Sequence, residues 1–326
     1  MIKKRTLNLR VPGIAFVVML ISTLNAHAQN DQKSWHQVRN HADCKYLHLV
    51  NEHPKLPRWT GKCANGFVQG QGTITFETEL GTSKITGVYE DGIVSGYIEV
   101  NSWVLKDGET HQYEYKGEAK KGNMTGRGTL KVGDFFNFSG QFKNAQPHGY
   151  GDLKAYNYSY SGTFKDNAYD GLGVFQLEGR PGFKGVFKNG KADGPGVLEI
   201  HVPNKNFKLR IVGTFKGHPA PPFDDFEVIG PAIMESEGED QYRYIGNISD
   251  LYMHGQGVQV LDTGFRHEGM FEKGLRHGPG ISIDPNGNSC EGEWKQGLLT
   301  GTGEGLHQGR STTCQVDEDN EIVFIK

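Results

Sequence analysis

Thirteen histidines and four cysteines are the residues of this 326-residue chain best suited to acid–base, nucleophilic or metal chemistry. Their spacing points elsewhere. His148, His254 and His277 each stand immediately before a glycine at the same point of a recurring string, so the repeat rather than a reaction accounts for them. Cys44, Cys63, Cys290 and Cys314 form no C-x-x-C or C-x-x-H pair of the kind that holds zinc. Gly-x-Gly strings such as Gly301-Thr302-Gly303 resemble phosphate cradles, but they open no helix and no Gly-Lys-Ser/Thr follows. With no G-x-S-x-G and no H-E-x-x-H, the reading assigns no catalytic residue, no metal ligand and no cofactor, and expects a non-enzymatic protein.

One row retains chemical reach. Lys120, Lys143, Lys165, Lys188, Lys216 and Lys295 occupy one position of six successive or near-successive strings. Set about 9.5 Å apart on alternate strands, they form a candidate anion-binding row for a membrane surface or an anionic glycan. The competing reading is a set of solvated edge lysines that discourage aggregation.

The string that positions them is written most plainly in Phe183-Lys-Gly-Val-Phe-Lys-Asn-Gly-Lys-Ala-Asp-Gly-Pro-Gly196. Counting its first residue as zero, units begin at Trp59, Ile85, Tyr115, Phe138, Tyr160, Phe183, Ile211, Tyr244, His267 and Cys290, and every one has glycine at plus two. Eight carry the Gly-x-Gly pair at plus eleven and thirteen; the lysines stand at plus five. On a strand, positions zero, two and four share a face, so two bulky residues flank a bare backbone. Asn65-Gly66, Asp91-Gly92 and Asn189-Gly190 then supply turns, and apolar residues at plus fifteen and seventeen mark a returning strand. Each unit reads as a β-hairpin, too weak alone and stable when stacked. The fold expected is all-β: an elongated single-sheet array of about ten stacked hairpins with terminal caps.

The pattern Tyr-x-Gly-x-Phe-x-Asn-Gly-x-x-x-Gly-x-Gly resembles the MORN (membrane occupation and recognition nexus) repeat over most of residues 59–305, and Cys290-Glu-Gly-Glu-Trp-Lys-Gln-Gly is close to its consensus. The segment from Cys44 through Trp59-Thr-Gly-Lys-Cys63 looks like the start of exported bacterial proteins of that type. The resemblance implies a scaffold, a rod or a surface-binding module, and hence a protein partner. Ile98 replaces the second paired glycine of the Ile85 unit, and the pair is missing after Ile211, so these two units are expected to be the least regular. In the Tyr244 and His267 units the returning apolar residues move to plus fourteen and sixteen (Val258/Val260, Ile281/Ile283), which predicts a bulge or a change of covered face.

The expected organisation is a signal peptide over 1–28, an N-terminal cap over 29–58, a first repeat block over 59–216, a Pro/acidic insertion over 217–243, a second block over 244–309 and a C-terminal cap strand over 310–326. An enzyme site in the 217–242 insertion is the least favoured functional reading. The leader has Lys3, Lys4, Arg5 and Arg10, an apolar run from Val11 to Leu24, and Ala26-His27-Ala28, which predicts cleavage between Ala28 and Gln29 and a periplasmic or secreted protein. Cleavage changes the net charge from −3 to −7, leaving 31 basic against 38 acidic residues, an acidic balance that argues against nucleic acid, and no nucleic-acid partner is expected. Four cysteines in an exported chain predict two disulfides. Cys44 with Cys63 would join sheet neighbours; Cys290 with Cys314 requires the C-terminal strand to shift, because equivalent strands of adjacent units lie about 9.5 Å apart.

Overall fold

The computed structural model describes residues 35–48, 54–106, 108–178, 182–202, 207–219, 225–238, 241–317 and 320–325. The predicted leader and its Ala28/Gln29 cleavage point lie outside the described residues, as does part of the 217–243 stretch. The described residues form strands and no helix, as the period-two pattern requires. They divide into two compact units, Met1–Gly173 and Val174–Lys326.

The first unit holds β1 (Trp35–Val38), β2 (His41–Leu47), β3 (Lys55–Trp59), β4 (Lys62–Ala64), β5 (Phe67–Glu77), β6 (Thr82–Glu90), β7 (Ile93–Lys106), β8 (Glu109–Lys120), β9 (Asn123–Val132), β10 (Phe136–Lys143), β11 (Gln146–Ala155) and β12 (Tyr158–Lys165), and ends within β13 (Ala168–Leu177). From β5 to β12 each strand pairs antiparallel with the next, an open sheet of stacked hairpins. At its start β1 and β2 form a hairpin, β2 touches β5 in parallel at Lys45 and Phe67, and β3 and β4 both pair with β5. The Cys44–Cys63 disulfide forms as expected, with Cα atoms 6.0 Å apart. It links β2 to β4 through their shared neighbour β5 rather than joining adjacent strands.

The β10–β11 hairpin exposes the logic of a unit. Its two-residue turn, Asn144-Ala145, has φ of 51° and 58°, the left-handed pair that matches strand twist. Phe142 pairs with Pro147 and Gly140 with Gly151, so β11 carries two more residues than β10 over this interval, and Gly149 bends there at φ 76°. The plus-eleven glycine is thus a bulge residue. The plus-two and plus-thirteen glycines face each other, and the Phe138 ring lies over both. A Cβ added to Gly140 would stand 2.6 Å from the Gly151 Cα, and one added to Gly151 would stand 2.6 Å from the ring. Phe138 in turn meets Phe142 and Phe164 edge-on at 5.1 Å each and is fully buried.

The two units expected to be irregular keep this register. Between β6 and β7 the same bulge occurs, with Gly96 at φ 80°, and buried Ile98 occupies the place of the second glycine. The smaller Ile85 at position zero leaves the volume that Ile98 fills. Regularity survives because bulk is exchanged between the two strands.

The second unit continues with β14 (Gly182–Lys188), β15 (Lys191–Val202), β16 (Phe207–Gly217), β17 (Glu227–Glu237), β18 (Tyr242–Ser249), β19 (Tyr252–Leu261), β20 (Arg266–Glu272), β21 (Leu275–Ile283), β22 (Ser289–Lys295), β23 (Leu298–Leu299), β24 (Gly303–His307), β25 (Arg310–Val316) and β26 (Ile322–Ile325). Strands β14 to β22 again pair consecutively and antiparallel. The stretch read as an insertion contains β17, which pairs with β16 and β18. It is the returning strand of the Ile211 unit, with Gly230 (φ 73°) at the bulge and Ala232 facing Gly213. Pro and acidic residues hid it because β17 carries Glu235 and Glu237 among its outward-facing positions.

The Tyr244 and His267 units do contain a bulge, but it is the one common to the other units, and the covered face does not change. Gly246 faces Gly257 and Gly269 faces Gly280, so Gln259 and Ser282 take the inward positions. Val258, Val260, Ile281 and Ile283 consequently lie on the reverse face.

Nor does the C-terminal strand move beside β22. β24 stays between β22 and β25, with Cys290 opposite Gly305 and Cys314 opposite Gly303. The Cys290–Cys314 bond forms with Cα atoms only 5.8 Å apart. A flat three-strand span would be about 9.5 Å, so the sheet curls over β24. Bare Gly303 and Gly305 permit this: a Cβ on either would fall 3.1 Å from a disulfide sulfur.

Gly151→Ala should destabilise the chain by about 2–3 kcal/mol, because the methyl enters the Phe138 ring. Phe138→Ile, which imitates the Ile85 unit, should recover part of that loss in the double variant. Additive costs in a denaturation double-mutant cycle would refute the exchange of bulk.

Candidate interaction surfaces

All six candidate lysines are exposed, and none makes an ion pair among the described residues. In the first unit, Lys120, Lys143 and Lys165 end β8, β10 and β12, each just before a turn on the same edge of the hairpins. Strand alternation puts them there: Phe142 and Phe164 point inward, so the next residue points out. In the second unit the row is broken. Lys188 ends β14 and Lys295 ends β22, but Lys216 lies between Asp193 and Glu227 on its two neighbouring strands, and the equivalent positions on β18 and β20 are Ser249 and Glu272. Nearby, Lys191 is held by Asp225 at 2.7 Å, and that hydrogen bond depresses the Asp225 carboxyl. Burial depresses His218 beside it.

The aromatic face is the core. Trp59, Tyr115, Phe138, Tyr160, Phe183 and Tyr244 are all essentially inaccessible. Tyrosines at position zero turn the hydroxyl to a backbone carbonyl three residues on: Tyr115 to Glu118 at 2.8 Å, Tyr160 to Thr163 at 3.0 Å, Tyr244 to Asn247 at 2.9 Å. Burial raises their pKa values, that of Tyr244 to about 12. A shallow cleft remains in the first unit between Phe136, Phe138, Leu153, Tyr158 and Phe164, with the buried, unpartnered Asn167 Oδ1 at its wall.

The histidines that precede glycine behave as repeat residues. His148 lies 3.4 Å from Asp166 and His277 lies 3.5 Å from Glu272, both at hairpin edges. His267 differs, because it replaces an aromatic at position zero. It is buried against Trp294 (4.8 Å between rings) and Phe271, and its Nδ1 is 3.0 Å from the Ser282 hydroxyl. Its Nε2 has no partner among the described residues. Burial, and secondarily the nearby Arg276, push its pKa down to about 3. Arg276 is itself buried between Phe265 and Trp294, 5.0 and 5.1 Å from the rings, donates to Asn320 Oδ1 at 2.6 Å, and is pushed down by burial to about 10. Beside them the Cys290–Cys314 bond packs on Trp294, Phe265 and Val316. This cluster fastens the C-terminal strands and has the character of a core.

The surface that the repeat pattern left unread is the reverse face of the second unit. Val197, Val212, Ile233, Ile245 and Val258 are opposite one another across β15 to β19. Ile245 is 47% exposed. The same row of the first unit reads Thr86, Glu99, Lys116, Thr129, Ser139, Asp152 and Ser161 across β6 to β12, every residue polar. Position plus one of each unit carried the signal: Ile245 and Val212 against Lys116 and Ser139.

Among the described residues, no group of histidine, cysteine and acidic side chains could hold a metal ion, and no helix is long and apolar enough to cross a membrane. A family model described as MORN repeat matches residues 138–159, 160–178, 183–199, 267–289 and 290–304. These five segments begin at the position-zero residues Phe138, Tyr160, Phe183, His267 and Cys290. No curated protein matches the chain.

His267 makes stability pH-dependent. The folded state keeps the ring neutral while the unfolded chain binds a proton below about 6.5, so stability present above that pH is lost as the pH falls toward 3. About 2 kcal/mol should be lost between pH 6.5 and 5. His267→Tyr, which restores a residue natural to position zero, should flatten the dependence of the unfolding midpoint over this interval. An unchanged slope would assign the acid sensitivity to other groups.

Proposed function

We propose that this chain is a non-enzymatic exported protein whose stacked hairpins serve as a scaffold that binds a protein partner. What carries the reading is how the repeat is used: its aromatics and glycines are spent on packing one hairpin against the next, so the variable product of repetition is surface. The MORN-repeat segments support a binding or scaffold module, and two disulfides suit an oxidising compartment. On this reading no cofactor is required. Export follows from the leader, and the mature chain should begin at Gln29 by intact mass and N-terminal sequencing; a stable product beginning at Met1 would contradict it. Crosslinking in the exported compartment followed by mass spectrometry should return a protein partner at stoichiometric yield, and recovery of none would count against the scaffold.

A second reading rests on the first unit alone. Lys120, Lys143 and Lys165 stand free on one edge, so this edge would hold an anionic membrane surface or glycan weakly. Co-sedimentation with anionic vesicles should then fall with salt and with Lys143→Glu plus Lys165→Glu. Binding indifferent to both would leave these lysines as solvated edge residues.

A further inference from the structure

We propose that the reverse face of the second unit binds the same face of a second copy of this chain, with a two-fold axis parallel to the strands between β16 and β17. This deepens the scaffold reading by naming one partner and its surface.

The apolar row Val197, Val212, Ile233, Ile245 and Val258 runs over five strands and has no cover within the unit. Beside it, two residues along each strand, Glu199, Arg210, Glu235 and Arg243 alternate in sign, linked at 4.0, 3.1 and 3.4 Å. One row further, Lys208 meets Glu237 at 3.3 Å. Such a ladder has a property that a uniform charge row lacks: reversed end to end, it complements itself. Rotation about an axis between β16 and β17 sets Glu199 opposite Arg243 of the other copy and Arg210 opposite Glu235. The same rotation sets Lys208 opposite Glu237 and lays Val197 over Ile245 and Val212 over Ile233 of the other copy, while Val258 meets Lys184, which precedes Val197 in the row on β14. On the four central strands, β15 to β18, the rows are satisfied by one operation, which is the requirement for an isologous contact. The polar Thr, Ser, Lys and Asp row of the first unit offers no equivalent.

Two sheets packed face to face stand about 10 Å apart with strands within about 30° of alignment. Strands β14 to β19 over about six residues give roughly 600 Å² per copy, or about 1,200 Å² in total, the lower limit of a stable interface. A weak dimer is therefore expected, with dissociation in the micromolar range or above.

Sedimentation equilibrium of the disulfide-bonded full chain at about 10 and 100 μM should show dimer increasing with concentration. Ile245→Glu should weaken association about tenfold or more, equivalent to about 1.4 kcal/mol. Arg243→Glu, on a more solvated side chain, should weaken it too and guards against misfolding of the first variant; each should keep its unfolding midpoint. A wild-type monomer at about 100 μM, or a dimer untouched by both variants, overturns the proposal. So does a monomer that loses a different crosslinked protein on Ile245→Glu, which assigns the face to that protein. The scaffold reading fails separately: an intact, variant-sensitive dimer with no other protein crosslinked in the exported compartment supports this inference while removing the heterologous partner.

Discussion

A ring laid across two facing glycines sets the architecture. Wherever Phe138, Tyr160, Phe183 or Tyr244 covers its pair, the missing side chains let an aromatic lie flat against the backbone of its own hairpin. It then meets rings edge-on at about 5 Å, on its own strand or on the next strand but one, contacts worth about 0.5–1.5 kcal/mol each beyond area burial. A single sheet has no second layer to bury its apolar face. Here the face is buried by rings lying down on it, so an ordinary two-layer core is unnecessary.

That constraint explains the departures. In the Ile85 and Ile211 units aliphatic side chains take the ring's place over the bare plus-two glycine, Val94 and Ile98 over Gly87, Ala232 and Val228 over Gly213. In the Cys290 unit a disulfide takes the ring's position: Cys290 is the position-zero residue, and its sulfur lies over Gly303 as Phe138 lies over Gly151. His267 obeys the geometry and violates the chemistry. It fills an aromatic's place with a group that must be kept neutral, and Ser282 takes the inward position opposite it.

Spacing alone made the hairpins, the unit boundaries and both disulfides legible, because they depend on period two and on glycine, properties that survive in one dimension. Two readings failed for a common reason. β17 was taken for an insertion, and Val258 and Ile281 for a sign that the covered face changes. Each required knowing which of two faces is covered, and a strand's sequence is symmetric with respect to that choice until its partners are placed. The glycine register held through β18 to β21, so the displaced valines and isoleucines reported a change of surface. The lysine row shows the converse: its period was real, but Asp193 and Glu227 flank Lys216 on neighbouring strands, which no spacing count reveals.

From β5 to β12 and from β14 to β22, each described pairing joins strands adjacent in the chain, and the two disulfides close loops of 19 and 24 residues. Sheets usually fold slowly because distant segments must meet before any contact rewards them. In these two stretches each strand instead meets its partner within the next few tens of residues. Each hairpin therefore has its template as soon as its predecessor exists, and the chain can order progressively from the Cys44–Cys63 end while its remainder is still extended.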